Sequence, residues 1–446
     1  MDVNITQRLV EQVASINARA LPADVLEVAR HSLLDWCGIA IAGANEPLVH
    51  KLLDEAREQG GHPLCTIVVH GARTSPAYAA LINGSAADAL DFSDANLAMR
   101  GHTTPAVVAT ALAVGEASDI SGLELLTAIV AGVEMECRVG TLVFKDFRKG
   151  FHPTGNIAPF GAAAAAAQLL GLNPTQWAHA LGTAATQAAG LHASGGTMSK
   201  PFHSGKAAAN GLLAANLAKR DWIARADAIE AEGGWIETHA TGVNVDALVS
   251  AAGRFFIRDT IFKSHAACQL THSTIENMLD LKAKHGVSAA EIEAIDVLVP
   301  RFFLGVCNIQ EPATGLEAKF SLRGVAAMAL LGDDTRDIAA YTAASTARPE
   351  LIQLRDRIHV APDDGLSGGI AVANVRLVDG RRLSVTNDCY LPLNDLPAQR
   401  AMLTAKFRSL ASPVLGRERA EALLAQILEV DRRPSIRTLI PLTLHR

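Results

Sequence analysis

Between Pro22 and Gly190 the chain repeats one local grammar. A Pro, Ser, Thr or Asn opens each segment, apolar residues recur every three or four positions, and Gly closes most of them. The segments are "PADVLEVARHSLLDWCGIAIAG", "SPAYAALINGSAADALDF", "TPAVVATALAVGEA", "SGLELLTAIVAGVEMECRVG" and "NPTQWAHALGTAATQAAG". A polar or Pro start with a Gly stop is the asymmetry of α-helix ends, and the period places the apolar residues on one helical stripe. Ala and Gly fill many of those apolar positions, so the helices can pack closely. Hydrophobic residues make up 49% of the chain but aromatics only 4%. A core of Ala, Leu, Val and Ile favours packed helices over a sheet sandwich, which draws on aromatic and β-branched side chains.

One strand-like piece, "CTIVV", interrupts the helices, and past about Asn277 the pattern changes. "AIDVLVP", "DRIHV" and "AVANVRLVDGRRLSV" read as strands, the last with Ala373, Val375 and Leu377 on one face and Asp379-Gly380 at a hairpin turn. A helix, "EAKFSLRGVAAMALL", is expected between the first two. After about Asp395 helical patterns return in "PAQRAMLTAKFRSLA" and "GRERAEALLAQILEV". The expected fold is mainly α. A large all-helical domain, 1–277, is completed by the C-terminal helices, 396–446, around a smaller inserted α+β domain, 278–395.

Charge and cysteine usage narrow the function classes. The net charge of -6 is spread along the chain, against nucleic acid as the main partner. Six cysteines without a C-x-x-C pair read as reduced, buried thiols in a cytoplasmic protein. The N-terminus lacks the basic and apolar regions of a signal peptide, and no apolar run reaches spanning length, so no membrane partner is expected. There is no G-x-G-x-x-G after a strand, no P-loop and no G-x-S-x-G elbow, so a nucleotide cofactor and esterase chemistry find no support.

Four stretches concentrate polar residues. In "DALDFSDANLAMRGHTTPA", Asp88, Asp91 and Asp94 are three apart; on a helix these like charges would crowd one side. His102 follows, just before a helix start, where free N–H groups favour anions. In "GFHPTGNIAPFGAAAAAAQLLGL", His152 lies in a loop before an alanine-rich helix; it either ends one helix and starts another or lines a site. In "SGGTMSKPFHSGKAAANG", Lys200, His203 and Lys206 are three apart, and Pro201 biases Lys200 toward an extended loop. That cluster reads as a carboxylate cradle or as a solvated loop. In "FKSHAACQLTHSTIEN", His265, Cys268 and His272 would share a helical face; three soft ligands do not close a metal site, and none is expected.

Taken together, "LDF" followed by "GHTTPA", "GFHPTGNIAPFGAAAAAAQLLGL", "SKPFHSGKAAANG", "KSHAACQLTH" and "EAKFSLRGVAAMALL" resemble the MmgE/PrpD family over nearly the whole chain. The resemblance implies the same two-domain architecture, a homodimer, and catalysis on a small di- or tricarboxylate without metal or other cofactor. It implies Asp91, His102, His152, Lys200 and Lys263 as catalytic groups, with Arg100, Thr154, Ser199, His203, Cys268 and His272 around the substrate. Two positions depart from the decarboxylase branch: Ala95 stands where that branch has threonine, and Cys268 where it has histidine.

The family's reactions make or break a bond beside a carboxylate. The C–H there becomes acidic only when the enediolate charge is stabilised by cations and hydrogen bonds. Lysines would hold that charge, a neutral histidine would take the proton, and Asp91 would orient an imidazole. The expected function is dehydration of a 2-methylcitrate-like hydroxy acid. The alternatives are epimerisation of a dicarboxylate such as iminodisuccinate and, disfavoured by Ala95 and Cys268, decarboxylation of cis-aconitate.

Overall fold

The computed structural model describes residues 4–445. They form two compact units, one running through Phe262 and resuming at Pro392, the other spanning Lys263–Leu391. The boundary at Phe262 precedes the one expected at 277, for a physical reason. The helix His272–His285 buries Ile275, Met278 and Leu281 and packs on strands Ile370–Leu377 and Arg382–Asp388. Asn277 Nδ2 also donates to the Ala371 carbonyl at 2.9 Å, so this helix belongs to the α+β unit.

In the helical unit the caps read from sequence close as hydrogen bonds. Ser75 caps Pro76–Ala86, Ser121 and Glu124 form a reciprocal box on Gly122–Leu142, and Asn173 and Gln176 do the same on Pro174–Ala185. The helix Pro153–Leu170 packs against Ser199–Ala218, Gly122–Leu142 and Thr104–Ser118. Its run of six alanines, Ala162 to Ala167, is fully buried. Opposite them a Cβ on Gly211 would lie 2.5 Å from the Ala162 Cβ and 2.7 Å from the Pro159 carbonyl, so the backbones meet with no room for a side chain. Pro159 has no N–H and frees the carbonyl of Gly155 four residues earlier. That carbonyl accepts from the Ala189 N–H at 3.3 Å and ties down the loop beside His152.

The helices Leu396–Leu415 and Arg417–Leu428, from the end of the chain, pack on Ala23–Gly43. "CTIVV" gives only a two-residue ladder, Cys65–Thr66 with Arg73–Thr74. Among the described residues no helix is long and apolar enough to cross a membrane.

The second unit is built on a four-stranded sheet ordered Ile358–Pro362, Ile292–Val299, Ile370–Leu377, Arg382–Asp388. The first pair is parallel and the other two antiparallel. Ala373, Val375 and Leu377 are buried on one face, as their alternation predicts. "EAKFSLRGVAAMALL" is not one helix. A short turn, Gly315–Ala318, ends before Ser321, whose hydroxyl caps a new helix, Leu322–Leu331.

Candidate active site

The three aspartates do not share a helix. Pro76–Ala86 ends before them, and the turns that follow send Asp94 one way and Asp88 and Asp91 another. Asp94 is buried and accepts from the Thr104 N–H at 3.1 Å and from the hydroxyls of Thr103 and Thr104, so it caps the helix Thr104–Ser118. Asp88 and Asp91 instead converge on one ammonium: Lys200 Nζ lies 2.9 Å from Asp88 Oδ1 and 2.8 Å from Asp91 Oδ1.

Lys200 is not in the loop that Pro201 suggested. It is the second residue of the helix Ser199–Ala218. A proline in the first helical turn breaks no internal bond, because the N–H groups there have no helical acceptor. Helical spacing then places His203 and Ser204 beside Lys200. Ser204 Oγ donates to Asp88 Oδ2 at 2.7 Å, and Ser93 Oγ to Asp88 Oδ1 at 3.1 Å. Gly205 lets this helix reach the one that leads to Asp88, since a Cβ there would lie 2.0 Å from the Leu81 carbonyl oxygen and 2.2 Å from Ser85 Oγ. Gly205→Ala is expected to part these helices and destabilise the protein by about 1–3 kcal/mol; thermal unfolding of the variant checks it.

His102 completes the cluster. Its Nδ1 lies 2.7 Å from the Asp94 carbonyl oxygen, which can only accept, so Nδ1 carries the hydrogen. In the neutral ring Nε2 then holds the lone pair, 3.4 Å from Lys200 Nζ and 3.9 Å from Asp91 Oδ1. The His102 N–H donates to Thr154 Oγ1 at 3.2 Å, linking this loop to the helix that starts after His152. Gly101 makes room for that hydroxyl: a Cβ there would lie 2.7 Å from Thr154 Oγ1.

His152 sits at the N-terminus of Pro153–Leu170, and its Nδ1 lies 3.0 Å from His203 Nδ1. One hydrogen bridges the two nitrogens, so one ring donates and the other accepts. Burial, and then the nearby Lys200 charge, push the His152 pKa down to about 3. Burial also lowers that of His203. Both imidazoles are therefore neutral near pH 7. Burial opposes charge at Asp88 and Lys200 too, but there the pairing wins. Lys200 and His102 hold Asp88 below the usual carboxylate range, and the two aspartates hold Lys200 above the usual lysine range.

One oxygen each of Asp88 and Asp91 and a ring nitrogen of His102 lie within 4.8 Å of one another, a spacing a metal ion could use. In this arrangement Lys200 supplies the positive charge between the carboxylates.

The remaining expected residues are placed differently. Arg100 is exposed; it donates to the Phe144 carbonyl at 2.5 Å and lies over that ring. Ser199 is exposed at the helix start. Lys263, Cys268 and His272 belong to the second unit, where all three are buried. His265, Cys268 and His272 do not share a helical face, because only a 3-10 turn, Gln269–Thr271, precedes the α-helix that begins at His272. His265 bonds Glu276 and Thr335, each at 2.8 Å, and Cys268 and Cys307 are buried, reduced thiols. The site residues that sequence reasoning missed are Asp88, Ser93 and Ser204. The K-x-x-H-S spacing could have found Ser204, and the crowded aspartates were a signal for Asp88. Ser93 gave none.

The sequence matches the MmgE/PrpD N-terminal domain over residues 7–247 and the MmgE/PrpD C-terminal domain over residues 265–431. The chain belongs to the MmgE/PrpD family. In this member, residues 392–431 of the C-terminal match fold with the helical unit. Similar proteins include the cis-aconitate decarboxylases of Homo sapiens, 27% identical over 96% of this chain and 92% of that protein, and of Mus musculus, 25% identical over 96% and 91%. The cis-aconitate decarboxylase of Aspergillus terreus is 25% identical over 98% of this chain and 95% of its own length. These MmgE/PrpD relatives are lyases.

Proposed function

We propose that the protein is a lyase of small polycarboxylates that removes water from a 2-methylcitrate-like hydroxy acid. The observation that carries this reading is the placement of two imidazole systems, the His152–His203 pair and His102, around one ammonium. Elimination of water needs a base for the C–H beside a carboxylate and an acid for the departing hydroxyl. The neutral His152–His203 pair suits the base. His102 can serve as the acid in its imidazolium form, in which Nε2 carries the proton that the departing hydroxyl takes. Lys200, aimed by Asp88 and Asp91, stabilises charge growing on the substrate. Because those carboxylates already balance Lys200, the substrate's own carboxylates need further cations.

A second reading, decarboxylation of cis-aconitate, is supported by the relatives that match over nearly the full chain. Ala95 and Cys268 weigh against it, as does the second imidazole system, since losing carbon dioxide requires only a proton donor to the carbanion. Proton NMR in D2O with 2-methylcitrate, citrate, cis-aconitate and iminodisuccinate tests these readings. The expected result is deuterium beside a carboxylate and an alkene from a hydroxy acid. Itaconate from cis-aconitate would replace dehydration with decarboxylation, an inverted centre in iminodisuccinate would make it an epimerase, and no exchange on any acid would remove the lyase reading.

A further inference from the structure

Asp91 reaches Lys200 from a left-handed backbone, φ +53°, a conformation uncommon outside glycine, which Asp tolerates and its surroundings here hold in place. The next residue shows the hold. Phe92 is fully buried, and its carbonyl accepts from Lys406 Nζ at 2.9 Å. The same ammonium lies 3.8 Å from the centroid of the Phe92 ring and 2.7 Å from Asp35 Oδ1. Lys406 comes from the helix Leu396–Leu415 and Asp35 from Ala23–Gly43; their side chains are 5% and 0% exposed.

A buried ion pair is a costly way to join two helices that could meet through apolar side chains, as the neighbouring Phe407 and Leu410 do. What the ammonium supplies and a methionine would not is a directed grip on one carbonyl. We propose that Lys406, steadied by Asp35, is a positioning residue: it fixes the Phe92 carbonyl and thereby aims the Asp91 carboxylate at Lys200. The C-terminal segment thus helps build the site through backbone geometry. The inference rests on the reading that Asp91 and Lys200 serve turnover.

The test is the double variant Lys406→Met/Asp35→Asn, which removes both charges so that neither stays buried alone. Its crystal structure is solved, and kcat and KM are measured with 2-methylcitrate and cis-aconitate as probes. The expected result is an Asp91 carboxylate displaced from Lys200 by about 1 Å or more, with kcat lowered at least about tenfold and KM changed less than about threefold. An Asp91–Lys200 contact kept at wild-type length, or a smaller fall in kcat, overturns the inference even if the variant melts earlier. Should the double variant not fold, Lys406→Arg is held to the same thresholds; it keeps a charge for Asp35 but moves the donor away from Phe92. Lys200→Ala is assayed alongside. If it remains active, the reading of the site falls, while the crystal structure still decides what Lys406 holds.

Discussion

Lys200→Ala is expected to lower kcat by about a thousandfold, the scale on which one preorganised charge-stabilising group acts in a dry site. The side chain does two things at once. It presents an ammonium near His102 Nε2, and it neutralises two carboxylates that would otherwise repel each other. Alanine removes both, leaving Asp88 buried against the hydroxyls of Ser93 and Ser204, which still donate to it. The variant is therefore expected to recover charge balance from solution, by binding a proton or a cation. Two carboxylate oxygens and an imidazole nitrogen within 4.8 Å of one another form a good receptor for a small divalent ion. Calorimetric titration with Mn2+ should show a site in the variant that the wild-type protein lacks. Lys200→Arg should not restore turnover, since a planar fork cannot take the place of a compact ammonium between two carboxylates. Near wild-type kcat in the alanine variant would take Lys200 out of the chemistry.

How far the sequence could be read follows from how local each signal is. Caps, periods and the Asp379-Gly380 hairpin are properties of a few adjacent residues, and they were legible: Ser75, Ser121 and Asn173 cap the helices their patterns announced. His102 and His152 could be placed at helix starts for the same reason. What failed needed longer-range information. Pro201 pointed to a loop at Lys200, yet a proline is also at home in a first helical turn, and packing against the helix that leads to Asp88 decided between them. The aspartates at 88, 91 and 94 would crowd one side only if they lay on a helix, and spacing cannot reveal that the helix ends at Ala86. Their partners, Lys200 and the Thr103-Thr104 pair, come from different parts of the chain. The same limit hid Phe92, whose role emerges only when Lys406 arrives from more than three hundred residues away.

His152→Asn is expected to lower kcat by about 10²- to 10⁴-fold, the usual worth of a positioned general base, and to change how stability depends on pH. With its pKa at about 3 in the folded protein against 6.5 ordinarily, the ring stays neutral while the same histidine in an unfolded chain takes up a proton. The sign follows from that difference. Above pH 6.5 neither state binds the proton and the stability is fully present. As pH falls from 6.5 toward 3 the unfolded state gains the proton first, and stability is lost at up to about 1.4 kcal/mol per pH unit. At pH 5 this amounts to about 2 kcal/mol. Asparagine cannot titrate but can still bond His203 Nδ1, so the variant should lose less stability than wild type between pH 7.5 and 5, which urea unfolding at the two values measures. In the wild-type enzyme the His152 ring signals should stay flat over that interval in a histidine-selective NMR titration. A midpoint near 6.5 would mean that the ring is solvated, and the neutral His152–His203 base would have to be abandoned. If the signals stay flat and the asparagine variant is inactive, a proton acceptor kept neutral by burial and by the neighbouring Lys200 charge accounts for both results.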